Sequence, residues 1–140
     1  MGFRADVRDQ LHALLVTFNT EQSSLQQVYA ARPPDFTATP CAFVGGISEP
    51  RILHTAGVRQ RDVEVQLILV DTISDNVETA NVLDDLTDAL IDKLTDNPGQ
   101  IATNTVQAPT RVDATELDVG GVPYAAVVIT VTSQIQQGRL

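Results

Sequence analysis

A chain of 140 residues with 43% hydrophobic and 19% charged residues is about one domain, with enough apolar material for a core. Nine basic against 18 acidic residues give a net charge of -9, and aromatics reach only 4% with no Trp. That balance argues against a protein built to grip phosphates or stack bases. The single cysteine, Cys41, rules out an internal disulfide and a cysteine-based metal cluster, and no apolar run approaches the ~18 residues of a membrane span.

Phe3 to Asn19 reads as an amphipathic helix, with Val7, Leu11, Leu14, Leu15 and Phe18 at spacings of three and four. Its opening pairs Arg4 and Arg8 with Asp6 and Asp9 and leads into no apolar stretch of the secretory kind, so synthesis in the cytoplasm is expected. Ser23 to Arg32 is a weaker helical continuation, and Pro33-Pro34 stops it. Thr37 to Val44 is then a strand candidate closed by Gly45-Gly46, and Ile52 to Val58 a second, broken by Gly57. Asp62 to Asp71 alternates clearly. Val63, Val65, Leu67 and Leu69 share one face, while Glu64, Gln66, Ile68 and Val70 share the other. Its first half therefore has a wet face and its second half is buried on both faces.

Asp75 with Glu78 three residues later is a helix-start pattern. The helix from about Asn76 to Thr95 buries Val82, Leu83, Leu86, Leu90, Ile91 and Leu94, and ends at Pro98-Gly99. A polar linker (Gln100 to Pro109) precedes a hairpin of Thr110 to Val119 and Val122 to Ile135, with Gly120-Gly121 as its two-residue turn. The remainder, 134–140, is a polar tail that extends onto a neighbour or frays. Strands in runs rather than in strict alternation with helices predict a single α+β domain. Its sheet is mostly antiparallel, and two amphipathic helices cover one face.

Asp84, Asp88, Asp92 and Asp96 recur every four residues on the second helix, with Asp85 beside them and only Lys93 opposed. Such a run reads first as a solvated face. The functional alternatives are a metal-binding stripe or an acidic wall that repels a polyanion, because like charges four apart cost a few tenths of a kcal/mol each. No calcium-loop spacing is present. His12 and His54 lack the motifs of a hydrolase, Cys41 lacks a cationic neighbour in the chain, and the Gly-Gly pairs lack a nucleotide-binding pattern. No catalytic, cofactor or metal site is predicted. The segment Glu49 to Arg61 carries Arg51, Arg59 and Arg61 and reads as an extended β-arm, either a charge-blunted edge or an arm that meets the Asp-rich helix of another copy. A head-to-tail contact of that kind closes into a ring if the rotation permits.

Taken in order, three parts of the chain carry a resemblance. They are the N-terminal helix F-R-A-D-V-R-D-Q-L-H-A-L-L, the strand V-E-V-Q-L-I-L-V-D with the helix directly after it, and the ending G-G-V-P-Y-A-A-V-V-I-T-V-T. The chain resembles the tail terminator (tail completion) proteins of long-tailed bacteriophages over nearly its whole length. The resemblance rests on pattern and order, since that family has no catalytic motif. It implies an α+β structural protein of the virion, assembled in the host cytoplasm, with no enzymatic activity. It further implies a ring of about six copies at the head-proximal end of the tail. The ring binds the tail tube protein, stops polymerisation and presents a docking surface to a head-side connector or stopper protein. DNA passes through without specific binding, and Asp84, Asp85, Asp88 and Asp92 become candidates for the lumen, where like charge repels the polyanion. Arg51, Arg59 and Arg61 become subunit-interface candidates. A head-completion or head-to-tail joining protein is the alternative of the same class. A small metal-dependent α+β enzyme or ligand-binding module is the alternative of another.

Overall fold

The computed structural model of the chain describes residues 3–22, 25–34, 36, 38–55, 58–73, 77–96 and 105–138. The helix α1 (Phe3–Gln22) is followed by a short strand β1 (Gln27–Tyr29) and two long strands, β2 (Cys41–Thr55) and β3 (Val58–Thr72). The helix α2 (Val77–Asp96) then leads to a hairpin of β4 (Thr105–Val119) and β5 (Val122–Gly138). All strands join one sheet in the order β1-β2-β3-β5-β4, antiparallel except for the parallel β1–β2 pair. The fold is α+β with a mostly antiparallel sheet.

Both helices lie on the same face of that sheet. Val7, Leu11, Leu14, Leu15 and Phe18 of α1 and Leu83, Leu86, Leu90 and Leu94 of α2 are buried in one cluster. The sheet supplies Ala42, Val44, Val63, Val65, Leu67, Leu69, Val127, Ile129 and Val131 to it. Burying a Leu, Val or Phe side chain contributes about 1.5–3 kcal/mol, so this layer is the main source of stability. Val82, expected in the buried stripe of α2, is instead 41% exposed, at the rim of that stripe.

The opposite face is dry over only part of its length. Cys41, Phe43, Ile68, Val70, Tyr124 and Ala126 form a second cluster there, closed by Phe36 from the segment between β1 and β2. The Phe36 ring lies edge-on to Tyr124, with centroids 5.0 Å apart, and stacks on Phe43 at 5.9 Å. Glu64 and Gln66 continue the same face and are not buried. The wet first half and doubly buried second half expected for this strand are both present.

Four expectations are corrected by partners distant in sequence. The helical continuation over 23–32 is replaced by β1, after Asn19 Oδ1 accepts the Leu25 N–H at 2.9 Å and the Gln26 N–H bonds the Pro40 carbonyl at 2.8 Å. Val28 then packs on the helix-side cluster and Tyr29 on the opposite one, an alternation only a strand provides. Gly45-Gly46 does not close a strand. Val44 pairs with Leu67 and Ile47 with Val65, so the glycine pair holds a β-bulge inside a continuous β2. A second register shift follows between Ser48 and Arg51, spanning Pro50, which has no N–H for the ladder. Of the linker expected over 100–109, the part from Thr105 onward is strand, and 100–104 lie outside the described residues. The polar tail expected over 134–140 is the end of β5 through Gly138, with Gln134–Gly138 paired to Asp62–Val58.

Candidate functional site

The acidic face of α2 follows from the helical period. With Leu83, Leu86, Leu90 and Leu94 turned to the sheet, Asp84, Asp85, Asp88 and Asp92 fall on the solvent side, and all four are exposed. The side chain of Asp96 lies outside the described residues. Lys93 Nζ donates to Glu21 Oε1 of α1 at 2.7 Å, an ion pair across the two helices. Among the described residues no group of three His, Cys, Asp or Glu side chains converges as metal ligands. The four carboxylates form a surface of one sign.

Arg51, Arg59 and Arg61 all fall on the β2–β3 hairpin, whose backbone continues the sheet. Arg51 sits opposite Asp62, Ile52 opposite Arg61 and His54 opposite Arg59. The side chains of these arginines and of His54 lie outside the described residues. Within the expected arm over 49–61, the described residues are strand, β2 pairing with β3 and β3 in turn with β5. Strands of 15 residues span about 50 Å, whereas helices of 20 residues span about 30 Å. The sheet outruns its helical cover.

A third surface was not anticipated. On the sheet face away from the helices, an open groove of about 630 Å³ lies over the wet half of β3 and β5. Its lining includes Ser48, Glu64, Gln66, Thr110, Arg111 and Thr130. Thr110 is the extra residue at a register shift between Pro109 and Arg111 in β4. Its hydroxyl donates to the Thr130 carbonyl at 3.3 Å and lies 3.0 Å from Thr132 Oγ1. Arg111 Nε donates to Asp113 Oδ2 at 2.7 Å, so the one cation lining the groove among the described residues is already paired. Hydroxyls, the Gln66 amide, the Glu64 carboxylate and this ion pair can bind through polar contacts. The alternation of β3 predicts the wet floor, but only the register shifts bring Ser48 and Thr110 to its sides.

Cys41 is fully buried in the second cluster. Burial pushes its thiol up to about 11, and the nearby Asp71 carboxylate adds to the rise. Such a thiol stays protonated at neutral pH and is a poor nucleophile. His12 is partly buried in α1, away from Cys41 and the groove. No helix among the described residues is long and apolar enough to cross a membrane. No family model matches the chain, and no curated protein matches its sequence.

Proposed function

We propose that the chain is a structural protein of a long-tailed bacteriophage, a tail terminator whose copies close into a ring on the end of the tail tube. The observation that carries this reading is the order of elements over the whole chain. A helix, a long hairpin, an acid-faced helix and a second long hairpin make one sheet with both helices on one side. In this reading the ring of about six copies stops tube growth, receives the head-side connector and lets DNA through. The exposed carboxylates of α2 supply a surface that does not hold the passing polyanion. Arg51, Arg59 and Arg61 on the β2–β3 hairpin meet carboxylates of the next copy, where guanidinium forks make two-point contacts.

The test is made on tubes. The purified chain, added to polymerising tail tube protein of the phage that encodes it, is expected to sit at one tube end and shorten the length distribution. Arg59→Glu or Arg61→Glu is expected to keep the melting temperature of the isolated chain and to lose the end-bound ring. Tubes of unchanged length with the wild-type chain present would contradict a terminator and favour the joining role.

A further inference from the structure

The two edges of the sheet are unlike. On the β2 side, β1 covers Cys41–Phe43, and the strand beyond is interrupted twice by register shifts, one of them at Pro50. These features blunt an edge against strand pairing. On the other side, β4 carries no outer neighbour among the described residues, and after Thr110 it pairs with β5 without interruption from Arg111 to Val119.

The turn determines which groups of β4 point outward. Gly120 and Gly121 have φ of 60° and 84°, the two-residue turn in which the flanking pair, Val119 and Val122, exchanges both main-chain bonds. Bonded and non-bonded pairs alternate along an antiparallel ladder. Val112, Ala114, Glu116 and Asp118 therefore aim their N–H and C=O groups away from β5. The Asp118 carbonyl accepts Arg32 Nη2 at 3.4 Å, and its carboxylate accepts the Gly121 N–H at 3.0 Å. Val112, Ala114 and Glu116 are left with outward donors and acceptors that no described residue engages. The side chains of all four are exposed on the same face, apolar at Val112 and Ala114, acidic at Glu116 and Asp118.

We propose that this edge is a strand-addition site. It takes up, antiparallel to β4, an extended segment of a partner protein with basic residues opposite Glu116 and Asp118 and apolar ones opposite Val112 and Ala114. Main-chain bonds supply the affinity and the alternating side chains the selectivity. The charges favour a basic partner over a second copy. A two-fold β4–β4 pairing over the same nine residues would place Glu116 opposite Ala114 and Asp118 opposite Val112. It would also set the two Glu116 side chains diagonally across the pair, acid beside acid. This inference does not depend on the tail reading.

The probe is a labelled peptide, Thr-Lys-Thr-Lys-Thr-Val-Thr-Val-Thr, whose second and fourth residues meet Asp118 and Glu116 and whose sixth and eighth meet Ala114 and Val112. It is expected to bind the full chain, more weakly as salt rises, while the version with both Lys replaced by Glu does not bind. Ala114→Pro removes an outward N–H and no bond to β5, so the melting temperature holds while affinity falls by about tenfold or more. Methylating the amide of the sixth peptide residue, which faces Ala114, is expected to abolish binding, and methylating the seventh to spare it. That peptide pair decides the matter even if Ala114→Pro fails to fold. No binding, or equal binding by both methylated peptides, overturns the proposal. So does a dimer of the wild-type chain that Ala114→Pro dissolves, since the edge would then belong to a second copy.

Discussion

Gly45 and Gly46 are neighbours with opposite demands on space. A Cβ at Gly45 would lie 2.8 Å from Ile68 Cδ1 and 3.3 Å from both Gln66 Cβ and the Gln66 carbonyl, whereas one at Gly46 meets nothing within 4 Å. The Ile68 contact is with the tip of a side chain packed in the second cluster, so the clash is relieved by moving that side chain within its packing. Gly45→Ala is therefore expected to destabilise the fold by about 1–3 kcal/mol and Gly46→Ala by ~0.5 kcal/mol or less. Urea midpoints of the two variants, compared at equal slope, check the difference. Cys41 offers a second test at this scale. Its thiol ionises near 9.0 in the unfolded chain but only at about 11 when folded. Stability is therefore intact below pH 9 and falls as the pH rises toward 11, because the unfolded state loses its proton first. Between pH 8 and pH 10 the wild type is expected to lose about 1 kcal/mol more than Cys41→Ala. Equal losses would show that the thiol does not contribute.

At the scale of elements, the acidic face of α2 is stable despite itself. Asp84, Asp88 and Asp92 stand one turn apart and exposed, each pair costing a few tenths of a kcal/mol. Asp88→Lys turns two repulsions into attractions and is expected to raise stability by roughly 0.5–1 kcal/mol, measured by thermal melting. Leu90→Ala, on the buried side of the same helix, is expected to cost about 2–5 kcal/mol because it empties the layer between α2 and the sheet. Periodicity made this much legible. The leucines of α2, the apolar stripe of α1 and the alternation of β3 repeat within each element, so their faces can be read without knowing any partner. What could not be read depends on pairing. The Gly-Gly pair at 120–121 and the pair at 45–46 look alike in sequence, yet the first turns a hairpin and the second bulges a strand. β1 exists only because Cys41–Phe43 lies beside it. Ser48 and Thr110 reach the groove only through register shifts set by β3 and β5.

At the scale of the whole molecule, the sheet is long, its helical cover is short and one-sided, and its charge is strongly negative. On the proposed reading, those properties serve an assembly subunit that presents surfaces to its neighbours. If the α2 carboxylates line a DNA path, Asp88→Lys stabilises the isolated chain while lowering the yield of infectious particles. A substitution that helps folding and harms function separates a working surface from a merely solvated one. The most direct measurement of the proposed role is electron microscopy of lysates from the phage that, on this reading, encodes the chain, with this gene removed. Abnormally long tail tubes beside DNA-filled heads are the predicted result. Normal-length tails lying free of heads would contradict termination and assign the protein to head–tail joining, and intact infectious particles would contradict both.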